Sequence, residues 1–173
     1  MSFLNSIFQS LPRRREFKDF RHPDVWLAAV NVGKDQVYAR IKGDLALLDR
    51  VPEPETGYHF KDVVRVRGPI GKTYFRDEEI SVYETIEVTK RSGIPTFRFK
   101  AIVPTSNDYF SLLNCFRGER THVEFPYSSR DINSEWRLGF CAASSIEEAK
   151  LILDQFIASG QGRKFGDLHS TAA

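Results

Sequence analysis

Val37-Tyr38-Ala39-Arg40-Ile41-Lys42-Gly43-Asp44-Leu45-Ala46-Leu47-Leu48-Asp49 decides the fold class. Val37, Ala39, Ile41, Gly43, Leu45 and Leu47 alternate with Tyr38, Arg40, Lys42 and Asp44, the period of two expected of a strand with one covered face and one wet face. The segment reads as one strand. Upstream, the apolar run Val25 to Val32 ends at Gly33-Lys34-Asp35, which predicts a hairpin onto it. Downstream, Val51 to Gly57 carries Pro52 and Pro54, whose missing amide protons exclude a central strand, so the stretch reads as a loop.

Further strands are predicted over 58–67 and 72–76 about a turn at Gly68-Pro69-Ile70-Gly71. Two more, 80–89 and 96–103, read as antiparallel neighbours across Lys90-Arg91-Ser92-Gly93. Ser106-Asn107-Asp108 offers a cap to a helix whose apolar stripe is Tyr109, Leu112, Leu113 and Phe116. Residues 121–127 and 135–142 read as another strand pair, with Trp136, Leu138 and Phe140 on a common face. The final helix is the best signalled: Ser144-Ser145-Ile146-Glu147 fits a capping box, Ile146, Ala149, Ile152, Leu153, Phe156 and Ile157 form the stripe, and Gly160 ends it. Residues 161–173 are rich in glycine and small polar residues and read as a flexible tail. The expectation is an α+β domain over residues 22–160. It is a single antiparallel β-meander sheet or a partly open barrel with two packed helices, including the C-terminal amphipathic helix.

Composition agrees. The 173 residues are 41% hydrophobic and 28% charged, enough for one ordinary core. Fourteen Phe, six Tyr and two Trp against a single Met favour sheet surfaces and exclude a simple helical bundle. No run approaches the roughly eighteen apolar residues of a membrane span, and no charged segment precedes a cleavable apolar one. Cys115 and Cys141 read as buried thiols of a reducing compartment. The expected location is cytoplasmic, with peripheral membrane or virion association as its variant.

Charge is uneven. Between Met1 and Arg21, Arg13, Arg14, Arg15, Lys18 and Arg21 oppose only Glu16 and Asp19, a balance of 5 − 2 = +3 in a chain whose net charge is +2. Ahead of the arginines, Phe3, Leu4, Ile7, Phe8 and Leu11 recur at helical spacing, and Pro12 ends the pattern. Residues 1–21 therefore read as an amphipathic and basic leader. So short a helix is marginal in water and needs a surface: its own domain, another subunit, or an anionic bilayer. The apolar five are the candidate membrane or partner contacts; Arg13, Arg14, Arg15 and Lys18 are candidate phosphate contacts. The wet faces of the strands add Arg40, Lys42, Arg65, Arg67 and Lys72 to that set, alongside Lys61, Arg76, Arg98 and Lys100. If those strands are neighbours, the cations form a stripe able to meet RNA or lipid phosphates. Interspersed Asp44, Glu84 and Glu87 favour plain solubility.

Catalytic motifs fail one by one. Gly68 to Thr73 ends like a phosphate-binding loop, but Val66 stands where its first glycine belongs, and the flanks are strands. His22, His59, His122 and His169 lie far apart, and His122-Val123-Glu124 is followed by no zinc-binding cysteine pair. Neither cysteine has a histidine placed to activate it. The expectation is a non-enzymatic chain with no cofactor, no metal and no small-molecule substrate.

The leader Met1 to Arg15 and the strand Val37 to Asp49, within a short chain of meander and two helices, resemble the small matrix proteins of plant-infecting rhabdoviruses. That resemblance implies a structural protein that self-associates and bridges a ribonucleoprotein to the inner face of an anionic membrane. Its partners would be further copies, a nucleocapsid or other protein, membrane and RNA. A P-P-x-Y motif is absent, and in Tyr109-Phe110-Ser111-Leu112 the Tyr and Leu belong to the helix's core stripe. A second layout, strands closed by one C-terminal helix, is similar to a pleckstrin-homology-like module and implies a phosphoinositide or peptide ligand.

Overall fold

The computed structural model describes residues 25–126 and 135–171. The leader, 1–21, and the helix read into it lie outside the described residues. The fold class is as expected, α+β with antiparallel strands and two packed helices. The strands divide between a five-stranded ring and a separate four-stranded sheet.

Two-residue turns join three of the ring's strand pairs. β1 (Trp26–Val32) and β2 (Asp35–Lys42) pair antiparallel about Gly33-Lys34, from Trp26↔Ile41 to Val32↔Asp35. The strand expected to continue through Gly43 does not. The chain reverses at Gly43-Asp44, and β3 (Leu45–Leu48) returns along β2 from Lys42↔Leu45 to Ala39↔Leu48. Gly43 adopts φ +61°, which costs a glycine nothing. The reversal shifts the alternation by one residue, so Ala46 and Leu48 enter the interior rather than Leu45 and Leu47. Four apolar residues in a row hide that shift.

β4 (Val63–Phe75) and β5 (Glu78–Lys90) form a long hairpin, and β5 closes the ring by pairing parallel with β1 from Ala29↔Val82 to Asn31↔Glu84. The turn expected at Gly68-Pro69-Ile70-Gly71 is instead a bulge within β4, where the register passes from Arg67↔Glu84 to Gly71↔Val82. The reversal falls at Arg76-Asp77, with φ of +49° and +68°, the two positive values of a type I′ turn.

β6 (Thr96–Ile102) is not β5's neighbour, contrary to expectation. It lies inside the second sheet, ordered β7-β8-β6-β9, with β7 (His122–Glu124), β8 (Arg137–Ala142) and β9 (Lys164–Ser170). The segment 91–95 crosses between sheets. Asp62, fully buried, fixes the crossing: its carboxylate accepts from the amides of His59 (3.0 Å) and Ser92 (2.8 Å) and from the Arg91 guanidinium (2.9 Å). Val51, Phe60 and Ile94 then pack against Phe140 and Ala142 of β8, joining ring to sheet.

Helices α1 (Ser106–Cys115) and α2 (Ile146–Ala158) cover the sheet's other face. Thr105 and Asp108 cap α1 reciprocally, and Ser145 caps α2 through the Glu148 amide (3.2 Å). Phe99, Phe116, Phe125 and Phe156 are fully buried between the layers, each contributing about 2–3 kcal/mol of apolar burial. Because α2 lies on the second sheet rather than closing the ring, the layout differs from the pleckstrin-homology-like one.

Within 161–173, read as a flexible tail, residues Lys164–Ser170 instead form β9. β9 pairs with β6 from Phe97↔Ser170 to Ile102↔Lys164, and Phe165 and Leu168 pack on the helix core. Arg163 fastens its start. The guanidinium donates to Asp108 of α1 (2.8 Å) and to the Phe156 carbonyl of α2 (2.9 Å), and lies 4.6 Å over the Phe156 ring. The tail's periodicity was unreadable because Asp167, at φ +53°, inserts an extra residue between the Lys100↔Gly166 and Arg98↔His169 pairs.

Arg163→Ala removes the charged partner of a half-buried carboxylate that Thr105 continues to bond; the expected loss is about 1–2 kcal/mol in urea unfolding, with faster amide exchange along β9. The hydrogen bond from Thr105, then those from Arg163, hold the Asp108 carboxyl below its ordinary 3.8. The unfolded chain thus binds more protons near that pH. Asp108's contribution is complete at neutral pH and disappears as pH falls through the folded-state value, a slope that Asp108→Asn should flatten. Gly139→Ala is expected to cost about 1–3 kcal/mol by the same assay, because its methyl would stand 2.6 Å from the Phe99 ring and 3.0 Å from Phe125.

Candidate functional site

Several of the ring cations nominated from the sequence are neutralised by carboxylates that the strand pairing brings beside them. Arg65 lies opposite Glu87 and binds it at 2.7 Å, with Asp44 at 3.3 Å. Arg67 lies opposite Glu84 and binds it at 2.8 Å, and Lys72 reaches Glu79 at 2.6 Å. Exposed pairs of this kind contribute about 0.2–1 kcal/mol each, but they cancel the field a phosphate would follow. Arg40, read onto a wet face, is buried instead and binds Asp49 at 2.9 Å, an acid it shares with Lys61. That side of the ring is covered: Leu47, opposite Arg40, and Val63, opposite Leu47, are buried too. Lys42 stands half-buried at the Gly43 turn. The structure therefore brings the ring cations together as a charge-paired ladder, not a positive stripe. Phe3, Leu4, Ile7, Phe8, Leu11, Arg13, Arg14, Arg15 and Lys18 lie outside the described residues.

Two of the ring tyrosines that could stack on a base are occupied as well. Tyr38 donates to the Tyr74 carbonyl (3.2 Å), meets Phe75 edge-on at 4.6 Å and lies under Arg50 at 4.4 Å. Tyr83 packs on the ring core, leaving Tyr74 exposed. His122 is buried where the two sheets join, stacked 5.1 Å from Phe60, and Arg50 reaches its neighbour Glu124 at 3.1 Å. Among the described residues, no three His, Cys, Asp or Glu side chains gather as metal ligands.

A shallow concavity lies on the second sheet, on the face away from the helices. Along β6, Phe97, Phe99 and Ala101 point into the helix core, so Arg98 and Lys100 point the other way. Beyond the part covered by the ring, this face is a shallow trough with two lobes of about 460 and 650 Å³ that share Lys100, Leu138 and Asp167. One lobe ends at Trp136 and Gly166, the other at Arg98, Leu168 and His169.

Each position has a local cause. Trp136 precedes β8, half its surface in solvent, beside Gly166, where an added methyl would only just touch the indole at 3.8 Å. The bulge in β9 turns Asp167 toward Lys100, and the two form a 2.9 Å pair across the middle of the trough. The hydrogen bond from Lys100, with its charge, holds the Asp167 carboxyl below the usual 3.8, and the His169 ring adds to this. His169 Nδ1 lies 2.6 Å from the Asp167 carbonyl. Arg98 pairs with Glu55 from the ring's connecting loop and lies 5.6 Å over Phe140. The sequence placed Arg98 and Lys100 together on a polar face and Trp136 and Leu138 on one face with Phe140, without showing that these two sets meet. It missed Asp167 and His169, because the bulge that aims them also breaks the alternation that marks a strand.

The cysteines are unpaired, Cys141 buried and Cys115 half-buried. Burial in the apolar layer pushes the Cys141 thiol up to about 12. At pH 8 a thiol-disulfide reagent should therefore label Cys115 and spare Cys141 until denaturant is added, as mass mapping of the labelled peptides would read.

No helix among the described residues is long and apolar enough to cross a membrane. No family model matches the chain, nor does any curated protein or solved structure.

Proposed function

We infer that the chain is a non-enzymatic binding protein whose two-sheet body is a scaffold and whose attachment to an anionic surface runs through residues 1–21. The observation that carries this reading is the segregation of charge. Arg65, Arg67, Lys72, Arg98 and Lys100 each meet a carboxylate across the sheets, whereas the leader opposes five cations with two acids. A phosphate-bearing surface is drawn to the unbalanced end. The apolar set Phe3, Leu4, Ile7, Phe8 and Leu11 supplies the second signal that stable peripheral attachment needs, since neither apolar burial nor basic charge alone holds a protein on a bilayer. A matrix-like role, with copies self-associating and linking a ribonucleoprotein to a membrane, is the assembly this arrangement would serve.

Flotation with phosphatidylserine-containing vesicles tests the attachment. At about 1 kcal/mol for each arginine near the surface, replacing Arg13, Arg14 and Arg15 by serine should weaken binding roughly hundredfold. High salt should release the intact chain, and Ile7→Ser with Phe8→Ser should lower flotation even in low salt. Equal flotation of all variants would remove the leader from the mechanism.

A further inference from the structure

We propose that the trough on the second sheet is a binding site for a neutral saccharide chain, with Trp136 as the stacking platform and the Lys100–Asp167 pair as the hydroxyl-binding centre. The inference stands apart from the leader, because the trough is built from β6, β8, β9 and the residue before β8.

Charge decides the ligand class first. The cations of the trough, Arg98 and Lys100, are each matched by a carboxylate, Glu55 and Asp167. An anion gains little from a paired cation and must meet the paired acid as well, so phosphate groups and acidic peptides are disfavoured. A neutral ligand that both donates and accepts hydrogen bonds meets no such opposition. Adjacent hydroxyls on a sugar ring have that character: one donates to the Asp167 carboxylate while its neighbour accepts from the Lys100 ammonium, which lies 2.9 Å away. Both side chains are more than half exposed, so the pair is reached without opening the core.

Shape then narrows the choice. The indole of Trp136 is 51% exposed beside a glycine, and Leu138 carries the apolar surface onward from it. A pyranose ring has an apolar C–H face that stacks on such a surface and a rim of hydroxyls that stays in reach of polar neighbours. The trough is open and has two lobes about a shared centre, which suits successive units of a chain better than one enclosed small molecule. Arg98 and His169, at the far lobe, add polar contacts for the next unit.

Tryptophan fluorescence of the full chain, titrated with maltohexaose, cellohexaose and the hexamer of N-acetylglucosamine, tests the proposal. At least one should give a saturable change below about 10 mM, the weak range expected of an open site. Trp136→Ala should weaken that binding about tenfold or more, as measured by calorimetry because a reporter is lost, while Trp136→Phe restores part of it. Asp167→Asn should weaken it severalfold. Unchanged β9 amide exchange in each variant shows that the sheet persists. Absence of saturable binding to all three sugars, or binding undiminished in Trp136→Ala, overturns the proposal. So does a Trp136-dependent response confined to oligouridylate or to a proline decapeptide, which would assign the trough to nucleic acid or protein instead.

Discussion

One buried carboxylate fixes where the chain crosses between its two sheets. Asp62 has no exposed surface, and its three donors come from His59 on the approach to β4 and from Arg91 and Ser92 just past β5. The entry and exit of the long hairpin are thereby held together. A burial of this kind is tolerable only when the charge is fully hydrogen-bonded. Because β4 and β1 already occupy both edges of β5, β6 has no place in the ring; Asp62 fixes the path by which the segment after β5 leaves it, and β6 starts a second sheet. The packing of Ile94 and Phe60 on Phe140 follows from that redirection.

Strand register has a second effect, on the surface. Arg65 and Arg67 face Glu87 and Glu84 because β4 and β5 are paired in that register, so the ladder that fixes the fold also cancels the charge on its outer side. Under the two proposals above, binding falls instead to the leader and to the part of the second sheet's open face beyond the ring. In the trough, a bulge supplies the irregularity that a regular strand lacks, turning a carboxylate toward Lys100.

The alternation of β2 and the stripes of both helices were legible, because each repeats one polar and one apolar side over several turns or pleats. What was not legible had a common cause. Leu45 to Leu48 is apolar throughout and conceals a reversal; Arg76-Asp77 turns without glycine; Asp167 interrupts β9; and Asp62 acts across the fold, which no local pattern records. The site suffered the same way. Its platform residues follow ordinary alternation, but its central acid sits at the one position where alternation fails. Arg40 misled for a different reason: period two says which side of a strand a residue faces, not whether that side is later covered.

The parallel pairing of β1 with β5 also shapes how the ring comes into being. Its other neighbours are joined by hairpins, but this seam joins Ala29 to Val82, about fifty residues apart, and must await the long hairpin. Until then β1 presents an unsatisfied edge of Trp26, Leu27, Ala28, Ala29 and Val30, an apolar row prone to pairing with another molecule. The newly made chain is therefore most vulnerable to misassociation before the seam zips, and the speed of hairpin formation sets how long that exposure lasts.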